Sequence, residues 1–304
     1  KSGQYLVAFL HPAFPGNHEM VRMIAAKGIT SFTLDFIPRI SRAQSMDALT
    51  SMSTVAGYKG VLIAANHLPK FLPMVGTAAG MIQPSRVLVI GAGVAGLQAV
   101  ATAKRLGAVV YAADVRQEAN EQAGSVGAKA IDLGIPRDLA VGAGGYAKNL
   151  PDEWLRRERE VLAEHVAQSD IIILSALIPG KLAPVVVTVD MVKSMKTGSV
   201  IVDIAIDQGG NCELTEAGST VERHGVTIVG MQNIPGTVAG SSTWMFANNV
   251  YNFMENLVSE GRVAANESDE IVSTCLLTRG GEIVHSGARE AMHLLELRSG
   301  PQGH

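Results

Sequence analysis

The sequence predicts an α/β chain: a Rossmann-type doubly wound parallel sheet inserted in a second, smaller α/β domain that is N-terminally incomplete. Three observations predict it. The stretch Arg86–Asp114, RVLVIGAGVAGLQAVATAKRLGAVVYAAD, reads strand, glycine turn, helix, strand. From there to Met231, short apolar runs alternate with helical ones, the pattern of β-α-β units with right-handed crossovers. A separate β-α-β unit precedes this region and helices follow it, so one domain is inserted in another.

Taken in order, Gln4 to Leu10 is an apolar strand, Glu19 to Lys27 a helix ended by Gly28, and Ile29 to Phe36 a second strand. A domain rarely opens on an interior strand without a leader, so further sequence upstream of Lys1 is expected. His11 follows the first strand, either as a loop histidine with a local hydrogen bond or as a functional group. In Pro38–Tyr58, PRISRAQSMDALTSMSTVAGY, the apolar residues Met46, Leu49, Met52 and Val55 repeat every three positions, which fits one helix face. Arg39, Gln44 and Asp47 precede or open that helix. Read blandly, they are a capped helix start with a surface Arg–Asp pair of little energetic value. Lys59 to Leu72 continues as helix, and Pro73 to Pro84, rich in Gly and Ala, reads as a linker.

The strand Arg86–Ile90 then runs into Gly91, Gly93 and Gly96 at the G-x-G-x-x-G spacing. In a dinucleotide turn the first glycine permits the tight bend, the second lets backbone approach a pyrophosphate, and the third lets helix pack on strand. The helix that follows points unpaired N–H groups and the positive end of its dipole at the phosphates. Gly107 turns the chain into a second strand, Val109–Ala113, ending on Asp114, 18 residues past Gly96. An acid there accepts from a ribose 2′-OH and repels a 2′-phosphate, which favours NAD over NADP. Arg116, two residues on, is a group able to hold a phosphate instead.

Beyond Asp114, Gln117–Val126 is a helix and Lys129–Leu133 a strand. The long connection Gly134–Asn149 sets Tyr146 among Gly142, Gly144 and Gly145, which makes it either a lid or a passive surface loop. Asp152 caps an amphipathic helix to Gln168, and Asp170–Leu177 is a buried strand. Ligands of open α/β sheets sit at the carboxyl ends of strands, so backbone near Ser175–Leu177 should border a nucleotide. Lys181, just beyond, is either a ligand or a solvated lysine. Helix Val189–Met195 and strands Ser199–Ile206 and Val226–Met231 complete about six parallel strands. Asp207 ends the first of these as a turn residue or a group facing a nicotinamide. The tail reads as a long helix to about Ser259, a hairpin at Gly280–Gly281 and a final helix Ala288–Leu297. The expected division is 1–58 in the first domain, 59–235 in the nucleotide domain and 236–304 returning to the first, with the cofactor in the cleft between them.

Composition narrows the function. Of 304 residues, 47% are hydrophobic and 17% charged, which suits a sizeable core, yet no apolar run approaches the ~18 residues of a membrane span. A net charge of −3 without a basic block argues against nucleic acid. Cys212 and Cys275 lack metal-ligand spacing, so no metal site is expected, and they point to a reducing compartment and not to a disulfide framework.

The segments RISRAQSMDAL, GAGVAGLQAVATAKRLGAVV, GGYAKNL, ALIPGKLAPV and GGNCE, in this order, resemble the soluble NAD(H)-binding alpha component of proton-translocating NAD(P) transhydrogenases, of the alanine dehydrogenase/transhydrogenase family. The resemblance runs from Val7 over nearly the whole chain. It implies an oxidoreductase and translocase that binds NADH and passes hydride to NADP on a partner component. It also implies a homodimer, held at the cytoplasmic face of the inner membrane by NADP-binding and proton-channel subunits. Arg39, Gln44 and Asp47 become the loop that positions the nicotinamide and meets the partner's nucleotide. Thr50 stands where the family usually has Ser, keeping a hydroxyl for the carboxamide. Val94, Asp114, Val115, Arg116, Gly145 and Leu177 match NAD-contacting positions, and Tyr146 matches the tyrosine of a mobile lid.

Two departures keep alternatives open. About half of the first domain is missing relative to the family, and AIDQGG with NIPGTVAGSST is more similar to alanine dehydrogenase, which maps Asp207 and His11 onto amino-acid chemistry. The alternatives are therefore an alanine-dehydrogenase-like amino-acid dehydrogenase or a non-catalytic NAD-binding module.

Overall fold

The computed structural model describes residues 3–142, 147–178, 182–263 and 265–299, with side chains described as far as Met292 on the last helix. The chain forms two compact units: Lys1–Met52, Pro179–Leu182 and Gly240–His304 in one, Ser53–Ile178 and Ala183–Ala239 in the other.

In the first unit, β1 (Tyr5–Ala8), α1 (His18–Ala26) and β2 (Thr30–Thr33) form a β-α-β unit with β1 and β2 parallel. The strand expected over Ile29–Phe36 stops at Thr33, and a 3-10 turn takes Leu34–Phe36. The cause is Asp35, whose carboxylate gathers the Thr33 hydroxyl and the N–H groups of Leu10 and His11, a local alternative to the ladder. A second 3-10 turn over Ser41–Met46 leads into α2 (Ala48–His67), within which the division between units falls. The helix ends at His67 and not at Leu72, because Pro69 disfavours helical backbone at the residue before it.

The expected linker Pro73–Pro84 instead carries an antiparallel hairpin, β3 (Val75–Thr77) with β4 (Gly80–Ile82). Then come β5 (Arg86–Ile90), α3 (Val94–Arg105), β6 (Val109–Ala113), α4 (Gln117–Ser125) and β7 (Lys129–Ala130). β7 pairs for two residues where five were expected, although Ile131 and Leu133 still enter the core. The stretch Gly134–Asn149, expected as loop, contains the single-turn α5 (Arg137–Ala140). In α6 (Asp152–Gln168) the expected Asp152 cap is absent. The Pro151 carbonyl takes the N–H of Trp154 and Leu155, and Asp152 sits in the first turn, where its charge suits the helix dipole.

The remaining elements are β8 (Ile171–Leu174), α7 (Val189–Ser194), β9 (Val200–Asp203), β10 (Thr220–Arg223), β11 (Val226–Val229), α8 (Ala239–Leu257), β12 (Val258–Ser259), β13 (Arg262–Val263), α9 (Glu270–Cys275), β14 (Leu276–Arg279), β15 (Glu282–Ile283) and α10 (Ser286–Ser299). The sheet of the second unit runs β10-β11-β9-β8-β5-β6-β7, with β10 antiparallel to β11 and every other pair parallel. The six parallel strands are as read from the sequence; the antiparallel edge strand is an addition. Both faces are covered, and the two-residue period of a strand sorts the side chains. Val87, Val89, Val110, Ile171, Ile173, Val200 and Val202 share one core with residues of α2, α3 and α4. Leu88, Ile90, Ile172, Leu174 and Ile201 share the other with α6 and α7.

The sheet of the first unit runs β1-β2-β14-β15, so the expected return of the tail to the opening β-α-β unit is present. Phe32 packs edge-on against Phe253 of α8, ring centroids 5.9 Å apart, in a core with Leu34, Ile271 and Leu276. No helix among the described residues is long and apolar enough to cross a membrane.

Candidate functional site

The glycine turn of the second unit is built by backbone meeting backbone. Gly91 has φ +90°, and a Cβ there would lie 2.6 Å from the Ala176 nitrogen at the end of β8. A Cβ at Gly96 would lie 1.9 Å from the Gly91 carbonyl oxygen, so α3 presses directly on the strand end. Gly91 N–H donates to the Ala113 carbonyl (2.8 Å), and the Ser175 hydroxyl donates to the Gly91 carbonyl (2.8 Å). Gly93 differs: a Cβ there would meet only the Arg116 guanidinium, at 4.0 Å. The middle glycine thus keeps an open face at the N-terminus of α3, with half-buried Val94 as that helix's first residue. A pyrophosphate fits that face.

Asp114 ends β6 at 7% exposure. Its Oδ1 accepts from the Arg116 backbone N–H and Nε, both 2.9 Å, and its Oδ2 from Ala92 N–H and Arg116 Nη2, both 2.8 Å. The acid expected to read a ribose is therefore already paired, bidentately, with the arginine two residues on. Asn120 fixes the Asp114 backbone from both sides, accepting from its N–H (2.9 Å) and donating to its carbonyl (2.8 Å). Glu158 of α6 is 4% exposed and lies in the field of this pair; burial and then the Asp114 charge push its carboxyl up to about 7, against the pull of Arg159. Val115 is half-buried against the core shared with α6, and Leu177 is half-buried past the end of β8. Gly144, Gly145, Tyr146 and Lys181 lie outside the described residues.

At the neighbouring strand end, Asp203 is fully buried. Its Oδ2 accepts from Asn211 N–H (2.8 Å), Cys212 N–H (3.1 Å) and the Thr215 hydroxyl (3.0 Å), and its Oδ1 from Ala205 N–H (3.2 Å). Burial pushes this carboxyl up to about 6 in spite of those donors. Asp203 therefore anchors the GGNCE loop. Asp207 accepts from Asn233 N–H at 3.1 Å, where Asn233 has φ +49°, so it stabilises a turn of the chain.

In the first unit, Asp47 is the N-terminal cap of α2: Oδ1 accepts from Thr50 N–H (2.8 Å) and Oδ2 from the Thr50 hydroxyl (2.7 Å). The Thr50 hydroxyl proton is thus committed to the cap, so toward a ligand its oxygen acts as an acceptor. Arg39 and Gln44 are exposed. The turn that follows Arg39 and carries Gln44 is held from α8 and from the cap of α9: the Ser45 carbonyl accepts from Asn249 (2.9 Å) and Asn252 (3.2 Å), while Arg42 donates to Asn256 (3.2 Å) and pairs with Asp269, the α9 cap (2.8 Å). His11 pairs with Asp35 at 2.6 Å and stacks on Phe9 with centroids 5.4 Å apart. Burial raises the Asp35 carboxyl's pKa, but the hydrogen bond and charge of His11, the Thr33 hydroxyl and the His11 N–H outweigh it and hold the group below its ordinary value.

Thus the structure brings Gly91, Gly93, Val94, Gly96, Asp114, Val115, Arg116 and Leu177 onto the carboxyl edge of one sheet, and Arg39, Gln44, Asp47 and Thr50 onto one turn and helix start of the other unit. Residues not singled out from sequence are Asn120, Glu158, Asp203, Asn211 and the asparagines of α8. A signal existed for some of them: an Asp closing an apolar strand, and an Asn in a glycine-rich turn, mark polar groups that need buried partners.

A family model described as "Alanine dehydrogenase/PNT, C-terminal domain" matches residues 60–286, and "Alanine dehydrogenase/PNT, N-terminal domain" matches residues 1–56. The chain is 47% identical over 272 residues to the first segment of the NAD(P) transhydrogenase alpha subunit of Rhodospirillum rubrum, covering 88% of this chain and 71% of that protein. It is 32% identical over 302 residues to the alanine dehydrogenase of Staphylococcus saprophyticus, covering 97% of this chain and 75% of that protein. The crystal structure of transhydrogenase from Sinorhizobium meliloti superposes with a TM-score of 0.80 at 45% identity, over 93% of this chain and 76% of that one.

Proposed function

The chain belongs to the alanine dehydrogenase/PNT family, and from that premise we propose that it is the NAD(H)-binding component of a proton-translocating NAD(P) transhydrogenase, passing hydride between NADH and NADP held on a partner component. The observation that carries this reading is the turn bearing Arg39 and Gln44, exposed and braced from α8 by Asn249 and Asn252. A helix start needs only the Asp47 cap; it does not need two exposed polar groups on a braced turn.

In this reading Gly93 and the N-terminus of α3 hold the pyrophosphate, and Asp114 and Arg116 hold the adenosine ribose. Val115 and Leu177 line the nucleotide, and Thr50 offers its oxygen to the carboxamide. The bound nicotinamide supplies the hydride. No acid or base is needed, because no proton is exchanged at the reacting carbons. The chain's own residues contribute orientation and exclusion of water, with Arg39 and Gln44 as the groups meeting the partner's nucleotide and Asp47 fixing the turn. The partners would be NADP-binding and membrane proton-channel subunits, with the chain a homodimer at the cytoplasmic face of the inner membrane.

NAD is the preferred nucleotide. Because Arg116 already neutralises Asp114, the preference over NADP is modest, on the order of 1 to 3 kcal/mol. Calorimetry with NADH and NADPH on the native chain and on Asp114→Ser tests it; equal affinities in the native chain overturn it.

A second reading, an amino-acid dehydrogenase, is favoured by the His11–Asp35 pair. One experiment separates the two: NADH-dependent reduction of an NADP analogue, with and without an NADP-binding partner, run beside alanine plus NAD. Turnover only with the partner supports the first reading, turnover with alanine supports the second, and nucleotide binding without turnover in either leaves an NAD-binding module.

A further inference from the structure

Asn211 is fully buried and is used on every side. Its backbone N–H donates to Asp203 (2.8 Å), and its carbonyl accepts from the N–H groups of Val186 (2.9 Å) and Val187 (3.0 Å). Its side-chain amide accepts from Ala176 N–H (3.0 Å) and donates to the carbonyls of Ala176 (2.9 Å) and Pro184 (2.7 Å). Pairing with both peptide groups of Ala176 makes the amide a surrogate strand residue, extending the sheet's order beyond Leu174, where β8 ends. The second unit is interrupted between Ile178 and Ala183, so Asn211 ties the residue near the exit to the residue near the re-entry.

Ala176 is also the wall on which the glycine turn closes. Its nitrogen lies where a Cβ on Gly91 would clash, and the preceding Ser175 donates to the Gly91 carbonyl. A shift of Ala176 therefore moves the first glycine of the turn. Only asparagine meets the demand at this position. Aspartate has no donors for two buried carbonyls, and glutamine is longer by one methylene in a space closed on all sides.

We infer that Asn211 is a positioning residue for the dinucleotide pyrophosphate, acting through Ala176 on the Gly91 turn. This rests on the reading that a nicotinamide dinucleotide lies on that turn, and it names a residue that does not touch the nucleotide itself.

The test separates the pyrophosphate from the adenosine. ADP-ribose and adenosine are titrated into the native chain, Asn211→Ser and Thr215→Val, with displacement of NADH fluorescence as the readout; Thr215→Val removes another bond to Asp203 without touching Ala176. Asn211→Ser is expected to weaken ADP-ribose about tenfold and adenosine by no more than about twofold, the scale of one lost buried hydrogen bond. Thr215→Val is expected to lower the melting temperature while leaving ADP-ribose within about twofold. An unchanged ADP-ribose affinity in Asn211→Ser, an equal loss for both ligands, or the same loss in Thr215→Val overturns the inference. Should Asn211→Ser fail to fold, hydrogen exchange on the native chain decides: ADP-ribose should slow the Ala176 and Gly91 amides together, and protection of Gly91 without Ala176 overturns it. A native chain that binds no ADP-ribose removes the dinucleotide reading itself, which is a different outcome.

Discussion

At Gly91 and Gly96 backbone packs on backbone between the ends of the two neighbouring strands, at Ala113 on one side and Ser175–Ala176 on the other, whereas the turn that follows Arg39 and carries Gln44 is held at Ser45 by amides 204 and 207 residues further along. The first region has no slack: a single methyl group at Gly96 would overlap a carbonyl oxygen. The second is held by a few hydrogen bonds from one face of α8, by the Arg42–Asp269 pair and by the burial of Ala43 and Met46, and it leaves Arg39 and Gln44 exposed. The difference suits two tasks. Holding a pyrophosphate calls for fixed N–H groups, while meeting a nucleotide on another protein calls for side chains that project from a braced turn.

The sharpest way to break this comparison is Gly96→Ala. The clash is with backbone and cannot be relieved by a rotamer, so a stability loss of about 3 kcal/mol and loss of NADH binding are expected, read by thermal melting and calorimetry. An unchanged melting temperature would show that α3 has room to move and that the turn is not rigid.

Gln44→Ala probes the other region. NADH affinity should stay within a few-fold while the partner-dependent hydride-transfer rate falls by about a hundredfold, the scale of a ~1 Å misplacement at a reacting centre. If NADH binding is lost instead, or the rate is untouched, the turn is only the approach to a capped helix, and Asp207 becomes the residue to test.

The buried acid behind Asp114 sharpens the contrast through pH. Glu158 has a folded pKa of about 7 against an ordinary 4.5, so the folded chain holds a proton that the unfolded chain releases between those values. Its stabilising contribution is fully present below about pH 4.5 and is lost as pH rises through about 7. Glu158→Gln keeps the shape and removes the titration, so it should stabilise the chain at pH 8 relative to pH 5 by on the order of 2 to 3 kcal/mol. Parallel stability profiles for the two chains would place Glu158 in a wetter setting than its 4% exposure indicates.

The smallest effect belongs to Asn249→Ala, which removes one of two donors on the Ser45 carbonyl. A stability loss of about 1 kcal/mol is expected, with NADH affinity unchanged and the hydride-transfer rate lowered several-fold. A change in NADH affinity equal to the change in rate would contradict the separation of roles between the two regions.

The amino-acid sequence by itself determined what depends on near neighbours. The run Arg86–Ile90, the three glycines, and Val109–Ala113 ending on Asp114 were legible to the residue, because strand period, turn and helix start are all dictated within a short span. The six parallel strands followed from alternation of apolar runs, and the return of the tail from a β-α-β unit before that region with helices after it. What only the tertiary structure decided are features whose partners lie far away in the chain. Asp114 was legible as an acid at the right distance, but the presence of Glu158, from a helix further along the chain, in its field was not. Likewise Asn211 and Asn249 look like ordinary polar residues in a turn and a helix, and they acquire meaning only once folding buries the carbonyls of Ala176, Pro184 and Ser45 that they must satisfy. A hydrogen bond between residues tens or hundreds of positions apart leaves no periodicity, so burial and its demand for partners had to be seen before those side chains could be assigned.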